Sequence, residues 1–182
     1  MRATGIVRRI DELGRVVIPK EIRRTLRIRE GDPLEIFTDH DGEVVLKKYS
    51  PIGEIATIAK DYTDSLHRTL GFIACICDRD AVVSASGSPK RELWEKPLSA
   101  ELETAIQNRQ TIVNGAGGKM MAVTQDDDPS GYTAQIMVPI LCDGEVIGAL
   151  LLLSREANAV IDETAKKVAE TTATIVGRQM EQ

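Results

Sequence analysis

Apolar and polar positions alternate in short runs over the first fifty residues. Gly5–Ile10 and Arg15–Ile18 are β-rich and flank Asp11-Glu-Leu-Gly14, whose glycine is free to take the positive φ of a tight turn. The pattern predicts a hairpin. Pro19 then opens a helix, because its fixed φ suits the first helical position and its missing N–H is no loss there. Ile22 and Leu26 fall four apart on one face, which turns inward. After a turn at 28–33, Leu34–Phe37 and Glu43–Lys48 form a second hairpin around Asp39-His-Asp-Gly42. A strand-strand-helix-strand-strand module of this size seldom buries enough surface alone, and no disulfide or metal staples it. Dimerisation would supply the missing burial.

The period changes at Ser50, which caps a helix, with Pro51 at its first position. Ile52, Ile55, Ala59, Tyr62 and Leu66 follow at alternating steps of three and four, the spacing of a coiled-coil seam, and Ile58 and Leu70 widen the stripe. Residues 51–70 therefore read as a linker helix. It either pairs with its copy as a short coiled coil or packs on its own C-terminal domain. From Gly71 the pattern is mixed. Phe72–Cys77 and Ala81–Ala85 read as strands, Leu98–Arg109 as an amphipathic helix, and Thr111–Val113 and Lys119–Val123 as short strands. Tyr132–Leu141 and Glu145–Leu153 make a hairpin closed by Cys142-Asp-Gly144, and a last helix runs from Asn158 to Met180. Strands in the middle with helices at both ends predict an antiparallel-sheet α/β domain over 71–182 and an α+β chain as a whole.

Charge alters the picture. The net charge of -5 and pI near 5.2 speak against nucleic acid as a partner, but residues 2–29 hold nine Lys/Arg against three acids. Residues 30–50 hold two against six, and the remainder twelve against nineteen. Screening falls off over roughly 8–10 Å at physiological salt, so acids on a separate domain barely weaken a local basic patch. That patch comprises Arg8, Arg9, Arg15, Lys20, Arg23, Arg24 and Arg27. Arginine offers a planar fork that grips a phosphate or bridges guanine O6 and N7.

The run Thr-Gly-Ile-Val-Arg-Arg-Ile-Asp-Glu-Leu-Gly-Arg-Val-Val-Ile-Pro-Lys-Glu-Ile-Arg-Arg-Thr-Leu, with the later Leu-Glu-Ile and Val-Val-Leu-Lys-Lys-Tyr, resembles the DNA-binding module of AbrB-type transition-state regulators over residues 3 to 51. The resemblance implies a swapped-hairpin fold for residues 1–50, in which two chains interleave into one homodimer with a basic face toward double-stranded DNA. It implies that Arg8, Arg15, Arg23 and Arg24 contact DNA, with Arg9 added at lower weight and Lys20 lower still. The layout of 71–182, above all Gly-Glu-Val-Ile-Gly-Ala-Leu, resembles a GAF-like sensor domain, which implies a small-molecule effector or assembly into a tetramer. The function so implied is a transcription regulator, activator or repressor, of sporulation genes. An antitoxin that holds a toxin partner and its own promoter is the alternative.

No enzymatic constellation emerges. Cys75, Cys77 and Cys142 are an odd number in no CxxC arrangement and read as reduced packing thiols, and His40 and His67 are the only histidines. Asn114-Gly-Ala-Gly-Gly-Lys119 misses the P-loop spacing, with Val113 where a glycine belongs and Met120 where Ser or Thr belongs. Asp126-Asp-Asp128 reads as a solvated loop rather than a metal site. No cofactor is expected. The 84–97 loop reads as the rim of a ligand pocket, and its lone Trp94 reads equally as part of that rim, as a packing anchor or as an interface residue. No apolar run approaches the roughly 20 residues that span a bilayer and no signal-peptide profile opens the chain, so the expected location is the cytoplasm.

Overall fold

The computed structural model describes residues 5–40, 42–87, 90–115 and 117–181, with the side chains of residues 90 and 91 excepted. It divides between Tyr49 and Ser50 into two compact units.

In the first unit, helix α1 (Lys20–Thr25) precedes an antiparallel hairpin of β1 (Leu34–Thr38) and β2 (Val44–Lys48), with Leu34 opposite Lys48 and Thr38 opposite Val44. Asp41 of the expected hairpin turn lies outside the described residues. Lys48 Nζ donates to Arg27 O at 2.9 Å and lies 3.3 Å from Asp32 Oδ2, which also accepts from Arg29 N at 2.8 Å. This bracket ties the loop after α1 to β2. The expected hairpin over 5–18 is only half realised. Its turn forms, with Gly14 N donating to Asp11 O at 2.9 Å and Asp11 N to Arg15 O at 3.0 Å. Its arms form no ladder among the described residues. Leu26 is also not turned inward but exposed.

The second unit is built on a five-stranded antiparallel sheet. Its strands are β3 (Ile73–Asp78), β4 (Val82–Ser86), β5 (Ile112–Asn114), β6 (Ala134–Cys142) and β7 (Glu145–Ser154), in spatial order β4-β3-β7-β6-β5. Central β7 is buried on both faces, as its unbroken Gly-Ala-Leu-Leu-Leu-Leu run requires. Leu150 and Leu152 join Ile76, Ile136 and Ile140 on one face, covered by α2 (Pro51–Glu54), α3 (Ala56–Leu70) and α6 (Glu163–Arg178). Leu151 and Leu153 join Cys75, Cys77 and Met137 on the other, beneath α5 (Ala100–Gln107) and the one-turn α4 (Lys90–Leu93). The chain as a whole is α+β.

The stripe expected as a coiled-coil seam is used inside this unit. Ile52, Ala59 and Leu66 are buried against the sheet with Ile55 and Tyr62 half-buried beside them, and the helix breaks at Ile55 into α2 and α3. Gly148 makes the close approach feasible: a Cβ there would stand 2.0 Å from Cys77 O and 2.6 Å from Ile52 Cδ1. Ser50 caps α2 by accepting from Gly53 N at 3.0 Å and donates to Asp78 Oδ2 at 2.7 Å. Asp78 Oδ1 in turn closes the β3–β4 turn through the amides of Asp80 and Ala81, each at 2.8 Å.

The strand expected over Lys119–Val123 is absent. In its place the buried Gln135 side chain brackets Met121, donating to its carbonyl at 2.9 Å and accepting from its amide at 2.8 Å. No helix among the described residues is long and apolar enough to cross a membrane.

Candidate nucleic-acid interface

The five arginines singled out in sequence stand on two local elements. Arg8 and Arg9 precede the Asp11–Arg15 turn, Arg15 closes it, and Arg23 and Arg24 lie on the outer face of α1; all five are exposed. Lys20 is exposed at the start of the same helix. Among the described residues, Arg9, Arg23 and Arg24 have no carboxylate partner, so their donors face solvent. Arg8 Nη1 makes one contact, to the carbonyl of Val7 at 3.2 Å.

Arg15 is held differently. Asp11 Oδ1 accepts from the amides of Leu13 at 3.0 Å and Arg15 at 2.8 Å, while Oδ2 accepts from Arg15 Nε at 2.7 Å. The Arg15 amide and then its guanidinium hold the Asp11 carboxyl below the usual carboxylate range. Sequence reasoning placed Asp11 in the turn and gave it no part in the site. The signal was an aspartate with free amides two and four residues on, the mark of an Asx-type turn.

Around this surface the unit lacks a closed core. None of its described residues is buried, and thirteen of the nineteen exposed large hydrophobics among the described residues, from Ile6 to Tyr49, belong to it. The Lys48 ammonium, held by Asp32 and the Arg27 carbonyl, serves local structure, which separates it from the outward arginines.

In the second unit the expected ligand rim is arranged otherwise. Ser84 and Ser86 turn toward α3, where Ser84 Oγ and Thr63 Oγ1 lie 2.8 Å apart and Ser86 Oγ bonds both Thr63, at 3.1 Å, and Asp64. Residues 88 and 89 of that rim lie outside the described residues. Trp94 follows α4 at 44% exposure. A cavity of about 260 Å³ lies elsewhere, lined by Gly117, Gly118, Met120, Tyr132, Thr133 and Asn158 among others. Tyr132 OH donates to Asp127 Oδ1 at 3.1 Å, and the Arg155 guanidinium lies 5.3 Å from the Tyr132 ring centre while pairing with Glu92 at 3.0 Å. Asp127 Oδ2 accepts from Val123 N at 2.8 Å and Asp128 caps the turn at Ser130, so both acids act as local brackets. Cys75 and Cys77 are fully buried, and burial pushes the Cys75 thiol up to about 12.

Known proteins resemble both halves. The family described as stage V sporulation protein T C-terminal, transcription factor, matches residues 54–181, and that described as antidote-toxin recognition MazE, bacterial antitoxin, matches residues 7–54. Transition state regulatory protein AbrB of Bacillus subtilis is 65% identical over 51 residues, 28% of this chain and 52% of that protein. The sheet unit shares its fold with the cofactor-binding GAF domain of the nutrient sensor CodY from Clostridium difficile, at a TM-score of 0.53 and 19% identity over 66% of this chain and 83% of that one. Stage V sporulation protein T of Bacillus subtilis is 50% identical over 183 residues, covering 100% of both chains. With both halves matched in one relative along its full length, this chain belongs to the stage V sporulation protein T family.

Proposed function

We propose that this chain is a DNA-binding transcription regulator of sporulation genes that acts in the cytoplasm, without catalysis, as a homodimer or tetramer. The observation that carries this reading is the first unit itself: a module with no buried residue among those described, thirteen exposed large apolar side chains and five outward arginines. Exposed apolar surface on that scale calls for a second copy, and interleaving the arms of 5–18 with those of a partner in a swapped hairpin would build them into a ladder. A two-fold dimer then presents Arg8, Arg9, Arg15, Arg23 and Arg24 twice to double-stranded DNA. Phosphate contact and DNA shape carry much of the preference in this reading, with base contacts added by whichever arginine reaches a groove. The GAF-like unit acts as the regulatory half, binding a small effector or joining dimers.

The match of residues 7–54 to an antitoxin family favours a second reading, a toxin partner for the same module. Salt titration of duplex binding separates the two. Eight arginines of a dimer on phosphates give a log–log slope of about -7, and fewer contacts flatten it. A variant with Arg8, Arg15, Arg23 and Arg24 all changed to Ala is expected to remain dimeric by light scattering and to lose that slope. Equal binding by both proteins would sink the DNA assignment and move the toxin-binding reading ahead.

A further inference from the structure

Residues 2–29 hold three acids among nine bases, and two of the three stand in the turn between the DNA-reading arms. A carboxylate on such a surface repels phosphate, so its presence needs a reason. Asp11 supplies one. Its two oxygens take three donors, and the only side chain among them is Arg15, gripped at Nε at 2.7 Å. A guanidinium carries five N–H donors in a fixed plane. With Nε occupied, the four on the two terminal nitrogens remain, and the plane of the fork is set by the turn rather than by the rotamers of a free arginine.

We propose that Asp11 is a positioning residue for DNA recognition: it holds Arg15 by Nε so that the outer edge of the guanidinium meets DNA in one orientation, and it partly cancels a charge that would otherwise bind any phosphate. The proposal rests on the reading of Arg15 as a DNA contact. It makes discrimination between duplexes, rather than total affinity, the quantity that Asp11 controls. Asn at position 11 keeps an oxygen for the turn amides but offers Nε an N–H in place of an acceptor, so Arg15 swings free and each chain loses one negative charge.

The test uses the full chain and two duplexes of equal base composition, one selected by the wild-type protein from a random library and one shuffled. Asp11→Asn is expected to raise affinity for the shuffled duplex while the selected-to-shuffled ratio falls at least about fivefold, the low end of what one forked contact discriminates. A merely structural role would lower both affinities together and leave the ratio in place, which would overturn the proposal. Arg15→Lys keeps the charge and the turn amides but lacks the fork; the same fall in ratio with unchanged shuffled binding is expected, and an unchanged ratio overturns the proposal even where Asp11→Asn fails to fold. Arg15→Ala guards the underlying reading: if it alters neither affinity, Arg15 is not on DNA and that reading fails first. If Arg15→Ala collapses the ratio and Asp11→Asn does not, the positioning role alone is overturned.

Discussion

Replacing Gly148 by Ala sets two effects of opposite sign against each other. Its φ is not positive, and a glycine inside a strand is roughly 0.5–1 kcal/mol worse than Ala on conformational grounds, so backbone preference alone makes the change stabilising. Packing says the reverse. The new methyl would lie 2.0 Å from Cys77 O, 2.6 Å from Ile52 Cδ1 and 3.0 Å from Asp78 Cα. Two of these are backbone atoms of β3, directly across the ladder where Asp78 faces Gly148. Relief demands that β3 and β7 part by more than half an ångström or that Ile52 leave its seat, and such overpacking costs about 3 kcal/mol. The steric term wins, for a net loss of about 2 kcal/mol or more. Urea melts at fixed protein concentration would follow Trp94 fluorescence, since this single tryptophan reports on the second unit alone. At a slope near 2 kcal/mol per molar, the midpoint falls by about 1 M or more. Gly115, with nothing within 4 Å of a built Cβ and no positive φ, is the control and should be near neutral. A Gly148→Ala midpoint at or above wild type would refute the argument.

Two further outcomes are expected. Gln135→Leu deprives the Met121 amide and carbonyl of their partners inside the fold, and a loss of about 2–4 kcal/mol should appear in thermal unfolding; a change below about 0.5 kcal/mol would show that the bracket contributes little. With a thiol-reactive disulfide reagent at pH 8, the native protein should titrate Cys142 alone, slowly, because partial burial and then Asp143 raise its thiol. Cys75 and Cys77 should appear only in denaturant, and their rapid reaction in the native state would mean that the sheet opens readily.

Much of the architecture was legible because alternation and helical spacing are local signals. The hairpin of β6 and β7, strands β3 and β4 and α5 all lie within two residues of their sequence-based limits, while α6 starts five residues later than expected and ends two earlier. What failed depended on distant partners. Lys119–Val123 carries a strand pattern, but its partners are scattered groups, the Gln135 side chain at Met121 and Ser99 at Ala122 and Val123, instead of a backbone ladder. The arms over 5–18 have strand composition and no strand beside them among the described residues. The seam of Ile52, Ala59 and Leu66 has coiled-coil spacing, yet spacing does not say what lies opposite, and here it is the sheet. Arg8, Arg9, Arg15, Arg23 and Arg24 were visible as charge in a motif; that Asp11 grips one of them became visible only with the turn built.

Ser50 and Ile52 bear on where this protein can be cut. The likeness of the C-terminal half to its family begins at residue 54, but the fold begins four residues earlier. A piece that began at residue 54 would leave Asp78 Oδ2 without its hydroxyl donor and lack the fully buried Ile52, whose Cδ1 packs against Gly148. The limit of that family match and the limit at which the polypeptide stops being needed are therefore different, and a piece intended to behave like the parent should start no later than Ser50.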